Sequence, residues 1–441
     1  MGLRVKIKSI WEESFMKSAA LRWLGATLGL FVSTNVALAD RSPEVWHYFA
    51  AGSELAAING LMEYSNKIHA DTPVIGRAIP GNVVELRRQL QTAFLGGNPP
   101  AVYQSAMGYE LKTFVDGGRL RPIDDVWAAA KGEEIFPKGV QRVVKVGGKP
   151  WGIPVDISII NNIFYNKAIF EKYGIEPPRD WAQLVAACKK LRDNGIEPLG
   201  DASGPFWSLY NFYAPLLASA GKDGYYAIAQ GKVSFKGPEF RKALETYRDT
   251  LVVNYAKNWS GKTWTQTADD VINGHTGMFM MGVWVSAYFK EHGWQPGKDF
   301  DFFPAPGTDN SVLIQMDVFA EPAGPDKTVA TARNFMTAAA SVEGQVAFNV
   351  PKGALAPNLK VDPSIYDYTG QRTLQQLKNA ETSDSVLPNL FFLLPTKLGT
   401  ELGVQIEKFA IDPSAGTEES VMETLEALRL ELAEQNAFVK W

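Results

Sequence analysis

Residues 164–200 read FYNKAIFEKYGIEPPRDWAQLVAACKKLRDNGIEPLG, and this stretch decides the fold because it joins two strands through two capped helices. The strand before it belongs to an apolar, β-branched run, Trp151–Tyr165, which is typical of a strand pair. Asn166 then opens a helix with one apolar face, and Gly174 ends it. The apolar face of that helix is formed by Ile169, Phe170 and Tyr173.

The second helix of this stretch has equally clear limits. Pro177 and Pro178 stop any continuation of the first helix, and Asp180 is a good N-cap with Gln183 at the third helical position. Apolar residues then recur at helical spacing until Asn194-Gly195 closes the element. They are Leu184, Val185, Cys188 and Leu191. The pattern predicts a tight strand-helix-helix-strand unit of an α/β core.

The chain before this unit also alternates strands and helices. Asn82 is a predicted N-cap, with Glu85 completing a capping box. Such an alternation is typical of a mostly parallel, doubly wound sheet, in which ligands bind beyond the carboxyl ends of the strands. The predicted elements are the strand Glu44–Phe49, the helix Glu54–Tyr64, the strand Pro73–Ile79, the helix that follows Asn82 and ends at Gly96-Gly97, and the strand Ala101–Gln104.

Residues 1–39 have the pattern of an export signal. Basic Lys17 and Arg22 precede a short apolar run, Trp23–Val32, and the Ala-Leu-Ala at 37–39 is typical of a signal peptidase site. The apolar run is short for a membrane span, and no later stretch is long enough to be one. We therefore expect a mature protein that starts at residue 40 and lies in the periplasm.

Composition limits what this exported protein binds. The formal net charge of −4 becomes −7 without residues 1–39, which carry five basic and two acidic side chains, so nucleic acid and anionic lipid are not expected partners. Translation could begin at Met1 or at Met16. A mature chain of about 400 residues exceeds one hydrophobic core, so two lobes are expected. The single cysteine, Cys188, is predicted to be a buried, inert thiol.

Polar residues follow several predicted strands where a ligand would bind. Gly52 and Glu54 follow the first strand, Gln104 ends the third, and Asp156 and Asn161 follow the strand that crosses between lobes. A pyranose needs carboxylates or amides for its hydroxyl pairs and an aromatic platform for its C–H face. The alternative is that Glu54 only serves the helix dipole and Asp156 a turn.

Several phrases of the chain resemble one known family across nearly the whole mature region. With the central unit, they are similar to the family 1 extracellular solute-binding proteins, most of all to the periplasmic glucose/mannose-type binding proteins. The phrases are HYFAAGSE at 47–54, GNPP at 97–100, GKTWTQTADDVINGHTGMFMMGVW at 261–284, FFPAPGTDNS at 302–311 and VPKG at 350–353.

The resemblance implies a two-lobed α/β fold, each lobe being a mostly parallel doubly wound sheet flanked by helices. Lobe 1 is expected to comprise residues 40–155 plus about 311–358. Lobe 2 is expected to comprise residues 156–310 plus about 359–441, including the C-terminal helices. Hinge crossovers would join the lobes and let them close over a solute.

The resemblance also implies which residues contact the sugar. Tyr48 takes a position where glucose binders carry tryptophan, and Trp207 is the preferred candidate of the aromatic cluster after Gly204. At Ser158 and Val283 the chain lacks polar partners that glucose binders use, so a modified, deoxy or larger sugar is open. The full set of candidate ligand residues is Glu54, Gln104, Asp156, Trp264, Trp284, Asp317, Lys352, Trp207, Tyr48 and Asn161.

The implied function is the periplasmic substrate-binding component of an ABC importer. It would capture a mono- or small oligosaccharide, or a derivative, and deliver it to the transmembrane subunits of a permease. We expect a monomer with no cofactor, no metal and no nucleic-acid partner. A sensory binding protein and a binder of a non-sugar solute remain alternatives. A glycosidase is disfavoured because no nucleophile elbow or metal motif is present, and nothing tunes one carboxyl as an acid.

Overall fold

A computed structural model of the protein describes residues 43–50, 52–308 and 311–441. The predicted export signal lies outside these ranges. No helix of these ranges is both long and apolar enough to cross a bilayer. The strands are β1 (Glu44–His47), β2 (Ile75–Ala78), β3 (Val102–Ala106), β4 (Lys145–Val146), β5 (Lys149–Pro150), β6 (Gly152–Pro154), β7 (Ser158–Ile159), β8 (Asn162–Asn166), β9 (Glu197–Gly200), β10 (Thr276–Met281), β11 (Phe300–Pro304), β12 (Val312–Gln315), β13 (Asp317–Ala320) and β14 (Val386–Pro388). The helices are α1 (Gly52–Ile68), α2 (Val83–Leu95), α3 (Tyr109–Asp116), α4 (Asp124–Ala129), α5 (Gly132–Ile135), α6 (Lys138–Val144), α7 (Lys167–Tyr173), α8 (Trp181–Asp193), α9 (Pro205–Ala229), α10 (Pro238–Thr250), α11 (Trp264–Ile272), α12 (Trp284–Glu291), α13 (Val329–Ala340), α14 (Val342–Lys352), α15 (Tyr368–Thr382), α16 (Leu390–Leu393), α17 (Thr396–Ile411) and α18 (Ala415–Glu434).

The central unit forms as its sequence predicts. The Asn166 side chain accepts a hydrogen bond from the Ile169 amide at 3.1 Å, which starts α7, and Gly174 ends that helix with a φ of 57°. The Asp180 carboxylate accepts from the Gln183 amide at 2.8 Å at the start of α8. The order β8-α7-α8-β9 confirms the strand-helix-helix-strand prediction.

One predicted cap is wrong in detail. Asn82 does cap α2, but its side chain accepts from the amide of Val84. The Glu85 carboxylate, which the capping-box prediction directed to Asn82, instead accepts from Arg88 and Gln89. Two strong donors one turn further along the helix compete better than a backbone amide, because a guanidinium–carboxylate hydrogen bond is charge-assisted.

Two mixed sheets form the centres of the fold. Sheet 1 has the order β2-β1-β3-β13-β6, and only β13 runs against the other four strands. Sheet 2 has the order β11-β8-β10-β9, and only β8 runs against the other three. In each sheet the reversed strand comes directly after the chain has crossed over from the other sheet: β8 follows the crossing from sheet 1, and β13 follows the crossing from sheet 2. The reversed strand therefore starts at the edge where the parallel strands end.

A small third sheet, β14-β12-β7, lies where the chain crosses between sheets 1 and 2. Asn161 joins two of the crossing segments, because its side chain donates to the Ser311 carbonyl at 3.1 Å and accepts from the Leu313 amide at 3.0 Å. Ile157 and Leu355 pair in an isolated bridge beside it. Short β-pairings thus connect the segments that lead into and out of the two main sheets.

Residues predicted to be structural lie in the core or pack against it. Cys188 is a buried free thiol, and burial raises its pKa to about 12. Trp127 packs against Phe136, and Trp294 is stacked on Phe300. These contacts agree with the structural roles expected for both tryptophans.

Candidate functional site

A cavity of about 500 Å³ opens beside the carboxyl ends of the parallel strands. Sheet 1 and its helices supply its charged residues, and the elements around sheet 2 supply most of its aromatic residues. Its lining is formed by Tyr48, Phe49, Glu54, Gly81, Asn82, Val83, Ser158, Ser203, Gly204, Phe206, Trp207, Tyr210, Thr263, Trp264, Thr265, Trp284, Gln315, Asp317, Lys352 and Phe392.

The charged side of the cavity is built around Lys352, the last residue of α14. Its ammonium lies 2.7 Å from the Asp156 carboxylate and also donates to the Asp317 carboxylate. It sits over the ring of Phe49, 4.5 Å from the centroid. All three charged side chains are almost fully removed from solvent. A buried cation with two carboxylates and an aromatic face is compensated, which is the condition for keeping it charged.

Asp317 links this cluster to two predicted site residues. Its carboxylate accepts from Gln104 Nε2 at 2.9 Å and from the Tyr48 hydroxyl. Gln104 Oε1 in turn accepts from the Tyr48 amide at 3.1 Å. Asp156 accepts from the Asp317 amide at 2.6 Å and from Ser158 at 3.2 Å. The network holds the end of β1 and the start of β13 in one arrangement.

The pKa of each of these groups is shifted by burial, which is the largest single cause, and next by neighbouring charges. Burial raises the pKa of the Glu54 carboxyl to about 7, because the Lys352 ammonium offsets only part of the desolvation. Burial likewise raises the pKa of Asp156 to about 6. Burial alone would lower the pKa of Lys352, but Asp156, Asp317 and Glu54 raise it above its ordinary value. The ammonium is therefore charged at neutral pH.

Tryptophans from three helices form the aromatic side of the cavity. Trp284 begins α12 and has its ring centroid 6.3 Å from that of Trp207 on α9. Trp264 begins α11 and packs edge-on against Tyr288 at 5.4 Å. Gly282 makes room for the indole of Trp284, since a Cβ there would lie 2.1 Å from the ring. This explains the glycine of the MGVW phrase in physical terms.

The structure brings most of the predicted site residues to one cavity. Gln104 and Asp156 do not line it but contact residues that do. The side chain of Asn161 instead forms hydrogen bonds with the backbone of Ser311 and Leu313. Their roles as ligand contacts stay predictions. The predicted residues that line the cavity are Tyr48, Glu54, Trp207, Trp264, Trp284, Asp317 and Lys352.

Sequence reasoning missed some of the lining. Gln315 ends β12 and accepts from Asn389 at 3.0 Å, with Phe392 from the short helix α16 nearby in the lining. Thr265 also borders the cavity, one residue after Trp264. In the sequence, the position of Gln315 two residues before the candidate ligand residue Asp317 could have indicated that it lies near the site. Phe392 had none, because aromatic residues in an apolar run usually indicate core.

The chain is similar to known proteins over most of its length. The profile of the bacterial extracellular solute-binding protein family matches residues 53–346. An uncharacterized ABC transporter extracellular-binding protein of Pyrococcus horikoshii is 30% identical over 344 residues, which cover 77% of each chain. A probable sugar-binding periplasmic protein of Rhizobium meliloti is 27% identical over 371 residues, which cover 83% of this chain and 88% of that one.

Among solved structures, the bacterial solute receptor AcbH has a similar fold. It is described as having an exclusive substrate preference for β-D-galactopyranose. The TM-score is 0.79 at 22% sequence identity, and the match covers 88% of this chain and 98% of that one. At this identity the likeness shows the two-lobed fold, and the resemblance drawn from sequence phrases is confirmed independently by the family match.

Proposed function

The chain belongs to the bacterial extracellular solute-binding proteins, and from that membership we propose that it captures a carbohydrate for an ABC importer. The proposed cargo is a mono- or small oligosaccharide or a derivative, held between two lobes. The name of the Rhizobium meliloti relative, a probable sugar-binding periplasmic protein, supports the carbohydrate class.

The observation that carries this proposal is that charged residues line one side of the cavity and aromatic residues line the other. Glu54, Asp317 and Lys352 offer charged acceptors and donors on one side, while Trp207 and Trp284 offer flat apolar faces on the other. A pyranose has hydroxyl groups around its rim and C–H groups on its faces, so it needs both. A volume of about 500 Å³ has room for a ligand of one or two sugar rings.

We assign lobe 1 to residues 40–155 plus about 311–358 and lobe 2 to residues 156–310 plus about 359–441. The strand content supports this division, because every strand of sheet 1 falls in the first set and every strand of sheet 2 in the second. The third sheet would act as the hinge. The lobes would close over the sugar by rotation about these crossing segments.

Ligand screening of residues 40–441 tests the proposal. We would measure thermal shifts with panels of monosaccharides, oligosaccharides, polyols, sugar acids, amino acids and polyamines, then measure Kd by calorimetry. At least one carbohydrate should raise the Tm, because a ligand that binds only the folded state stabilises it. If only non-carbohydrates stabilise the protein, the carbohydrate assignment is wrong.

We infer that the site binds its ligand without cleaving it. The Glu54 carboxyl has the raised pKa of an acid, but Asp156 and Asp317 share the Lys352 ammonium, so neither is free to act with it as the second carboxylate of an acid and base pair. Incubation of the purified protein with labelled oligosaccharides, followed by product chromatography, should show no cleavage. Product formed at enzyme-like rates would contradict this reading.

We propose that the exported chain works in the periplasm as a monomer and delivers its sugar to the transmembrane subunits of a permease. The family and the names of its relatives support transport. Sugar uptake should be lost when the gene is deleted and restored by the full chain. Retained uptake, with loss of a chemotactic or regulatory response instead, would favour a sensory role.

A further inference from the structure

The charges around the cavity do not balance. Among the described lining residues, the only basic side chain is Lys352, while Glu54 and Asp317 are acidic. Asp156 lies directly behind them, 2.7 Å from the same ammonium. Three carboxylates therefore surround one cation. The aromatic side offers no compensation, because the lining residues from sheet 2 and its helices are all uncharged.

The uncompensated charge can be assigned to one residue. Asp156 and Asp317 both hold Lys352, and each accepts further hydrogen bonds from the protein. Glu54, by contrast, has no hydrogen-bond donor and no ion-pair partner within the part of the chain that the structure describes. It stands in the first turn of α1 and is partly buried at the cavity wall. Burial raises its pKa, and the Lys352 ammonium offsets only part of that effect.

A free carboxylate in such a place distinguishes ligands by their charge. It accepts hydrogen bonds from sugar hydroxyl groups and would attract an ammonium group. A ligand carboxylate has no proton to donate to ionised Glu54, and two like charges at a partly buried site repel each other. No second cation in the described lining is free to receive that ligand group, since Lys352 already serves two carboxylates.

We propose that Glu54 makes the cleft select by charge, so that it accepts neutral and amine-bearing sugars and excludes sugars that carry a carboxylate. This inference rests on the proposed function, because it concerns the same cavity. It adds the charge class of the cargo and the residue that sets it.

Calorimetry with sugars of matched shape tests this selection at pH 9, far enough above the pKa of about 7 of the Glu54 carboxyl that its protonation does not relieve the repulsion. For each of the galactose and glucose series, we would compare the neutral sugar, its uronate, its uronamide and its 2-amino derivative. The uronate should bind at least tenfold more weakly than the neutral sugar and the uronamide, which has nearly the same shape but no charge. A uronate that binds within tenfold of its uronamide overturns the inference.

Two variants assign the effect to Glu54. Glu54→Gln removes the charge and should reduce the uronate-to-uronamide ratio of Kd values by at least tenfold. Glu63→Gln removes the same charge from an exposed position of α1 and should leave that ratio unchanged. An unchanged ratio in folded Glu54→Gln would assign the selection elsewhere and overturn the role of Glu54.

The outcomes separate this inference from the proposed function. If no sugar of any charge binds and the wider screen finds none, the proposed function fails. If neutral sugars bind and uronates bind equally well, only the charge selection fails. The comparison of uronate with uronamide uses the unaltered protein, so it remains decisive even if Glu54→Gln does not fold.

Discussion

Trp284 combines a large apolar face with a fixed position, which makes it the residue whose loss should most affect sugar binding. It is 8% exposed, and its ring fills the space that Gly282 leaves. Trp284→Ala should weaken binding by roughly tenfold or more through loss of stacking and buried area, about 1.4 kcal/mol. Calorimetry with the sugar found in the screen measures this. An unchanged Kd would show that Trp284 does not contribute to sugar binding.

Trp294→Ala is the matched control for this substitution. Trp294 packs on Phe289 and Phe300 in lobe 2 and does not line the cavity. Its loss should lower the Tm by removing packing against the core, while the folded variant keeps its sugar affinity. The two variants together separate loss of contact from loss of packing.

The buried carboxyl of Glu54 predicts a pH dependence of stability in the sugar-free protein. Its pKa is about 7 in the folded chain, above the ordinary value of 4.5, so the folded state binds the proton more tightly than the unfolded state. The stability that this proton contributes is present below pH 4.5 and is lost as the pH rises through 7. Urea unfolding should therefore show a fall in free energy over that window.

Glu54→Gln tests the origin of this slope, because glutamine has no proton to lose. The variant should show a flatter curve between pH 4.5 and 7, with a remaining fall from Asp156, whose pKa is also raised by burial. Glu63→Gln should keep the curve of the natural protein. If Glu54→Gln keeps the full slope, the proton is bound elsewhere.

At the scale of elements, the cap of α8 should matter for stability and not for binding. The Asp180 carboxylate accepts the Gln183 amide at 2.8 Å, and the helix carries buried Leu184, Cys188 and Leu191 into lobe 2. Asp180→Ala should cost about 1 kcal/mol of unfolding free energy. Urea titration measures this cost, and sugar affinity measured beside it should not change.

Asp193→Ala is the control within the same helix. Asp193 lies in the last turn, where a negative charge is unfavourable, and its partner Lys189 is exposed. Its loss should change stability by less than about 0.5 kcal/mol. Equal effects of the two substitutions would mean that Asp180 does not act as a cap.

Elements whose limits depend on neighbours in sequence were predictable, and elements that depend on distant partners were not. The caps at Asn166 and Asp180 need only the next three residues, so their patterns predicted them correctly. The capping box at Asn82 was wrong because Arg88 and Gln89 compete for Glu85. Phe392 reaches the cavity from α16, more than 100 residues after Trp284, and no local pattern indicates that approach.

The same distinction holds for the candidate site. The carboxylates and tryptophans could be proposed because they follow predicted strands or match family phrases. The sharing of Lys352 by Asp156 and Asp317 could not, since it depends on the end of α14 meeting β13 and the segment after β6. Single residue types indicate the chemistry, but the tertiary fold decides which of them stay free for a ligand, as Glu54 does.

At the scale of the whole molecule, α12 links the surroundings of the two main sheets. It follows β10 of sheet 2, carries Trp284 at its start and contacts both α1 and α14. Near its middle, Ala287 lies so close to Gly353 that a Cβ on the glycine would be 3.1 Å from that of the alanine. At its end, the Glu291 carboxylate lies beside Gly52 at the start of α1. We predict that closure of the proposed lobes requires small residues at this approach.

Ala287→Trp should therefore prevent closure. The indole cannot fit between α12 and the end of α14 without forcing the lobes apart, because the alanine is already buried at that contact. We expect Kd to rise at least roughly tenfold, since closure adds contacts that only the liganded state makes. Small-angle scattering should show that sugar contracts the natural protein but not the variant. Val404→Trp, at an exposed position of α17, should behave like the natural protein. A variant that contracts normally and binds with unchanged affinity would show that α12 does not limit closure.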